Sequence, residues 1–222
     1  MKNSNHKKVL IVDTSTTWAY LGYAETEKKE IVNFRQNLFQ PEKEKTDWLS
    51  ASLTEFLAPL KLTDIDKIVI GKGPGSFTGL RISFSYFRTA AMLLDIPIST
   101  FASGVLWHLA ICSNKETLLT QLNKNLYTAY DPLNKIQGIK QPGEWIDFFK
   151  NNPKEKGIIW DTAYLNQKTS LNWPENCTVY NNKPGQNKIM PAFDFIFQEA
   201  GNWEEALPEY GHTMKLTKKG EN

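Results

Sequence analysis

The sequence predicts an α/β chain built as two lobes, and three observations predict it. Short apolar, β-branched runs alternate with longer segments of helical periodicity. A glycine-rich elbow, Gly71-Lys72-Gly73-Pro74-Gly75-Ser76-Phe77-Thr78-Gly79, joins an apolar strand to a helical run, Leu80 to Leu94, with no breaker inside. In the first half the elements run three strands, then helix, strand, helix, strand; roughly the same order returns in the second half with shorter helices, without any repeat of the sequence itself. This divides the chain into residues 1–102 and a smaller, loop-rich lobe of residues 103–222.

Taken in order, residues 8–12 read as a buried strand ending at Asp13, residues 17–24 as a second strand and residues 30–36 as a third, joined by short polar links as an antiparallel meander. From Glu42 to Leu60 the pattern turns helical, with Leu49, Leu53, Phe56 and Leu60 at spacings of four, three and four. Residues 66–71 form the fourth strand, running into the elbow. Asp95-Ile96-Pro97 turns the chain into a short strand, and residues 103–112 form a third helix. A parallel pair joined through a helix obeys the right-handed crossover rule, so this is the order of a ribonuclease-H-like lobe. Beyond it, residues 117–122, 125–130 and 135–140 read as strands, Trp145 to Lys150 as a helix, 157–161 and 177–181 as strands, and 192–200 as a helix ending at Gly201. Residues 162–176 and 182–191, rich in Asn, Gln, Lys and Pro, read as loops.

The bulk composition bounds the function. A hydrophobic content of 41% and an aromatic content of 12% suit a packed core. A net charge of +2 does not announce a nucleic-acid binder. Two cysteines, Cys112 and Cys177, lack metal-like spacing and suggest reduced thiols in the cytosol. No apolar stretch reaches the ~20 residues of a membrane span, and the run after Lys7-Lys8 is too short for a signal peptide.

The elbow fits none of the common catalytic patterns. A phosphate-binding P-loop needs Gly-Lys-Ser/Thr, and Gly79 is followed by Leu80-Arg81; a dinucleotide fingerprint needs a third glycine where Thr78 stands. A nucleophile elbow needs glycine two residues before the serine, where Pro74 stands. Exposed amides at such a helix start can hold an anion or a partner's backbone. Ser76 is a candidate nucleophile, but it lacks an identifiable base, and a hydroxyl here is more readily a helix-start ligand. His108, between Trp107 and Leu109, reads as packed. Neither a catalytic nor a metal-ligating set emerges.

The helix after the elbow carries two apolar stripes: Leu80, Phe84, Phe87, Ala91 and Leu94, and beside it Ile82, Tyr86, Ala90 and Leu93. Covering one side of a sheet needs a single stripe. Either the helix is deeply buried inside the monomer, or one stripe meets a partner. The partner-facing set is read as Phe84, Phe87, Arg88 and Ala91, with Trp48, Leu49 and Ser52 of the preceding helix as neighbours.

Residues Gly73-Pro74-Gly75-Ser76-Phe77-Thr78-Gly79-Leu80-Arg81-Ile82 closely resemble the signature of the TsaB (YeaZ) family of bacterial proteins required for the threonylcarbamoyl modification of adenosine in tRNA. Val9-Leu10-Ile11-Val12-Asp13-Thr14-Ser15-Thr16 is similar to the family's opening strand and Asp-Thr-Ser turn. The resemblance covers roughly the first hundred residues. It implies two ribonuclease-H-like lobes of the actin/Hsp70/sugar-kinase (ASKHA) superfamily, the second reduced. It also implies a cytoplasmic, non-catalytic scaffold that pairs with and activates the transferase TsaD, with the ATPase TsaE joining the complex. On this reading the chain can form a homodimer in isolation, tRNA is met only through the complex, and ATP and magnesium are used by the complex rather than by this chain alone.

In the superfamily an Asp at position 13 helps hold magnesium, and a Gly two residues on lets amides reach phosphate; here that position is Ser15. Asp13, Thr14 and Ser15 are therefore expected to be a vestigial phosphate site, or simply a side-chain-capped turn. The second lobe's acidic loop aligns with Thr120-Gln121-Leu122-Asn123, without the acid. The helix departs from the family's small residues at Ser83-Phe84-Ser85-Tyr86-Phe87-Arg88-Thr89, and the usual His-Ser-Glu is missing around Lys45-Thr46-Asp47. Two other readings stay open: an ASKHA-type ATPase or kinase using Asp13, and a glycopeptidase-like peptidase using Ser76.

Overall fold

Val9, Leu10, Ile11 and Val12 are all fully buried, as a strand covered on both faces must be. They belong to β1 (His6–Asp13), the middle strand of the first sheet. The computed structural model describes residues 6–41, 47–113, 115–123, 126–133, 138–160, 171–180, 183–185, 194–198 and 201–210. The first sheet also holds β2 (Ala19–Glu27), β3 (Glu30–Phe39), β4 (Lys67–Gly71) and β5 (Ile98–Phe101), in the order β3-β2-β1-β4-β5. β1, β2 and β3 pair antiparallel, whereas β4 runs parallel to both β1 and β5.

The second sheet contains β6 (Thr117–Asn123), β7 (Leu126–Tyr130), β8 (Gly138–Lys140), β9 (Gly157–Trp160) and β10 (Cys177–Tyr180), in the order β10-β9-β6-β7-β8. Read from its far edge, this is the first sheet's order with the same directions: β6, β7 and β8 antiparallel, β9 parallel to β6 and to β10. The ribonuclease-H-like order expected from the sequence is thus present twice, with shorter strands in the second lobe.

Four helices fill the layers. α1 (Trp48–Leu57) and α2 (Phe77–Leu94) cover one face of the first sheet, packing Leu49, Leu53, Leu80, Phe84, Phe87 and Ala91 against its strands. α3 (Ser103–Ile111) lies against the other face, and its core cluster joins Val9, Ile11 and Val69 of the first sheet to Leu118 and Trp160 of the second. A helix between two sheets must be apolar all round, which explains why α3 shows no single stripe. α4 (Pro142–Asn151) buries Trp145 and Phe149 against the second sheet; Pro142 opens it, and Gln141 and Glu144 cap its start.

Several boundaries differ from the sequence reading, each for a local reason. β2 runs on to Glu27, and β3 starts at Glu30 as expected but runs on to Phe39; Lys28 and Lys29 both take positive φ (51° and 67°) and close a two-residue hairpin without the usual Asn or Gly. α2 starts three residues early, at Phe77, because Ser76 caps it, and ends where Asp95 turns left-handed at φ 53°. Residues 42–46 of the expected first helix lie outside the described residues; α1 ends at Leu57, before Ala58-Pro59. The helix expected over 192–200 is, within the described residues, a 3-10 turn at Asp194–Phe197. The Lys67 ammonium donates to the carbonyls of Ile196 and Gln198 and so ties that turn to the first sheet. Among the described residues no helix is long and apolar enough to cross a membrane.

Candidate functional site

β1 and β4 run parallel and in register, with Val12 opposite Ile70, so the turns that follow them emerge side by side. Those turns are the Asp13-Thr14-Ser15 segment and the glycine elbow. Their fit explains the glycines. A Cβ on Gly75 would stand 2.2 Å from the Ser15 carbonyl oxygen, and one on Gly79 would stand 2.0 Å from that of Thr14. A Cβ on Gly71 would meet the Asp13 carboxylate at 1.8 Å. The Ser76 amide donates to the Ser15 carbonyl at 2.5 Å. The Thr14 hydroxyl lies 2.8 Å from both the Gly79 carbonyl and the Ser83 hydroxyl. The two motifs form one interlocked unit.

Asp13 is fully buried. Its Oδ1 accepts from the Ser15 amide at 2.9 Å, the Ser15 hydroxyl at 2.7 Å and the Trp107 indole Nε1–H at 3.0 Å. Burial raises its pKa, while hydrogen bonds from Ser103, Ser15 and Trp107 pull the other way. Between the lobes lies a cavity of about 340 Å³, lined in part by Ser15, Thr16, Pro74, Trp107, Tyr130 and Asp131. Asp13 does not line it. The indole of Trp107 does, standing over the carboxylate and packing on Trp160 with ring centroids 4.9 Å apart. Through Oδ1 the carboxylate caps the turn, while Oδ2 is buried without a hydrogen-bond partner among the described residues. Across the cavity Thr120 occupies the position expected of the second acid, and among the described residues no group of three or more His, Cys, Asp or Glu gathers as metal ligands would.

If Asp13 is structural, Asp13→Ala strands the buried Ser15 amide, at about 1–3 kcal/mol, and leaves the Trp107 indole only the Ser15 hydroxyl at 3.1 Å. Asp13→Asn keeps the accepting oxygen and removes a buried charge, so it should melt at or above the parent temperature. The folded-state pKa lies above the ordinary 3.8, so the folded chain holds this proton longer than the unfolded chain. That contribution to stability is full below 3.8 and is lost as pH rises through the folded-state value. Thermal melts across acid pH should show that slope in the parent and its loss in the Asn variant; an Asn variant that unfolds would sink the assignment.

Several amides of the elbow meet the chain's own groups. Gly73, at φ 99°, donates its amide to the Ser103 hydroxyl, and Ser76 accepts from the Gly79 amide as the helix cap. The hydroxyl proposed as a nucleophile is thus occupied as a cap. Phe77 packs at a tilt of 49° against Tyr210 with centroids 4.7 Å apart, whereas Thr78 and Arg81 are exposed. His108 is buried, with Nε2 2.8 Å from the Glu116 carbonyl, and burial lowers its pKa.

The partner-facing set read from the sequence is corrected. Trp48, Leu49, Phe84, Phe87 and Ala91 belong to the monomer core, and Ser52 is half-buried. Arg88 donates its Nε–H to the Trp203 carbonyl at 2.9 Å and lies over that indole. The reason is rotational: the Ser83–Thr14 contact turns the Leu80 stripe onto the sheet. The neighbouring stripe then points outward, with Tyr86 36% and Leu93 72% exposed. Between α1 and α2 it forms an open groove of about 600 Å³, lined in part by Leu49, Ser50, Ile82, Tyr86, Ala90 and Leu93. Trp107, Ser83 and Ser103 were missed as site residues; their signal was polar groups on otherwise apolar helical faces.

Comparison with known proteins agrees with this geometry. The family profile described as TsaD, tRNA N6-adenosine threonylcarbamoyltransferase, matches residues 42–137. The tRNA threonylcarbamoyladenosine biosynthesis protein TsaB of Bacillus subtilis is 55% identical over 40 residues, 18% of either chain. The protein of the same name from Buchnera aphidicola is 33% identical over 92 residues, 40% of this chain and 41% of its own. The match therefore spans less than half the length of these relatives. YeaZ from Pseudomonas aeruginosa superposes with a TM-score of 0.62 at 16% identity, covering 92% of this chain and 99% of that one. A P. aeruginosa protein described as similar to peptidase YeaZ gives 0.64 at 17% identity, covering 93% and 100%. At such identity the likeness is one of fold.

Two ribonuclease-H-like lobes facing each other across a cleft, each with the same strand order, define an ASKHA-type protein. Within that class, the elbow and the turn it locks onto carry the residues that resemble the TsaB (YeaZ) signature, and the curated proteins that match part of the chain bear the name TsaB.

Proposed function

We propose that this chain is a non-catalytic scaffold subunit of the bacterial tRNA N6-threonylcarbamoyladenosine machinery. The observation that carries the reading is Asp13, the residue an ASKHA enzyme would need for magnesium, sealed behind Trp107 and fully hydrogen-bonded on one oxygen. Phosphoryl transfer needs carboxylates on the metal and cations on the phosphates; among the described residues this cleft is lined by a tryptophan, Thr120 and a single carboxylate, Asp131. The chemistry is assigned to TsaD, with which this chain pairs through the outward stripe of α2. TsaE joins that complex, nucleotide and magnesium act there, and tRNA is met there, in the cytoplasm. A net charge of +2 supports weak tRNA binding by the chain alone.

Depletion tests the reading in cells. Loss of the chain should remove threonylcarbamoyladenosine from tRNAs that read codons beginning with A, measured by mass spectrometry of digested tRNA. Wild-type complementation should restore it, and so should Asp13→Asn. Modification that persists after depletion, or an Asp13→Asn variant that folds but fails to restore it, would contradict a scaffold role.

A further inference from the structure

Residues 201–210 follow in the chain the turn that Lys67 ties to the first sheet, and they run across that lobe. The Ile98 amide donates to the Gly201 carbonyl at 3.3 Å, at the exposed edge of β5. Arg88 holds the Trp203 carbonyl, Ala206 is buried in the cluster under α1 and α2, and the Glu209 amide donates to the Lys72 carbonyl at 2.6 Å. Lys72 and Glu209 pair at 2.6 Å, and Tyr210 bridges Gly75 while its ring lies on Phe77. The elbow is shaped for this visitor: a Cβ on Gly73 would stand 2.6 Å from the Glu209 carbonyl oxygen.

Apart from Ala206 the segment buries little. Leu207 is exposed, Trp203 is only half-buried, and the Lys72–Glu209 pair is open to solvent. Segments with few buried apolar contacts and solvent-exposed backbone bonds open locally, below the cost of global unfolding. Beneath the strap Arg81, Phe84, Arg88 and Met92 line a groove of about 360 Å³.

We propose that the elbow and the adjoining flank of α2 are a docking cradle for an extended peptide carrying an aromatic–acidic pattern, and that residues 201–210 fill it in cis as a latch. Main-chain bonds to Lys72 and Gly75 supply the strand-like addition, the Phe77 face and the Arg88 guanidinium select aromatic rings, and Lys72 selects the acid. The inference does not depend on the scaffold reading.

Hydrogen exchange on the full chain tests the opening. The amides of Glu209 and Ile98 should exchange at least about tenfold faster than those of Ile11 and Val69. Equal rates would make the strap a permanent part of the fold and overturn the proposal. Docking is tested with a synthetic peptide of residues 201–210 added to the full-length Trp203→Ala/Tyr210→Ala variant. The peptide should bind the variant and shift the amides of Phe77 and Arg88, and it should bind wild type at least about tenfold more weakly, because the cis latch competes. No binding to a folded variant, or equal binding to both chains, would overturn the cradle. Should the double variant fail to fold, the same comparison with Glu209→Lys decides it.

Discussion

Phe87→Ala should lower the unfolding free energy by ~3–5 kcal/mol, the cost of emptying a phenylalanine site in a packed core. The ring is 0% exposed and sits among the residues joining α2 to β1 and β4. Its edge meets Tyr86 at a centroid separation of 5.0 Å, so some aromatic contact is lost with the volume. Denaturant unfolding checks it: the midpoint should fall with little change in slope, the signature of altered stability in an unchanged fold. Phe87→Glu should not fold, because a charge placed there has neither partner nor water. A folded, cooperatively melting Phe87→Glu protein would return this stripe to the surface and reverse the assignment of faces on α2.

That assignment shows what the sequence could and could not reveal. Periodicity found α2 and both of its stripes, because a 3.6-residue repeat is a local property. It could not say which stripe faces the sheet, because the rotation of the helix is set by contacts distant in the chain. Ser83 hydrogen-bonds to Thr14, and the Ser76 amide to Ser15, more than sixty residues away in sequence. The same holds for the elbow. Its glycines were legible as a demand for close approach, and its start as a helix cap. What approaches was not legible: the carbonyls of Thr14 and Ser15 on one side, and the carbonyl of Glu209 on the other. Trp107 was hidden for a different reason. On a helix apolar all round, one more aromatic reads as core, and only its indole N–H on Asp13 separates a plug from a packing residue. β1 and β4 were plain because a central strand covered on both faces must be apolar throughout.

The outward stripe carries the remaining prediction. A face with Tyr86 and Leu93 exposed, beside exposed Met92 and the exposed end of the neighbouring stripe at Leu94, is larger than scattered surface apolar residues account for. The groove between α1 and α2 is open and lined by apolar side chains, suited to a helix laid along it with its own apolar stripe inserted. Tyr86→Ala/Leu93→Glu should therefore still fold and melt cooperatively, losing only about 0.5–1.5 kcal/mol as Tyr86 gives up its edge contact with Phe87. The same variant should weaken pairing with TsaD at least about a hundredfold, roughly 2.8 kcal/mol, because it removes an aromatic anchor and strands a carboxylate in an apolar contact. Titration calorimetry with purified TsaD reads the affinity, and sedimentation of the chain alone reads any self-association through the same face. Unchanged affinity in a folded variant would move the partner to another surface and leave the groove without a role in pairing. Loss of both folding and binding would instead place Tyr86 and Leu93 in the monomer's own core, contrary to their exposure.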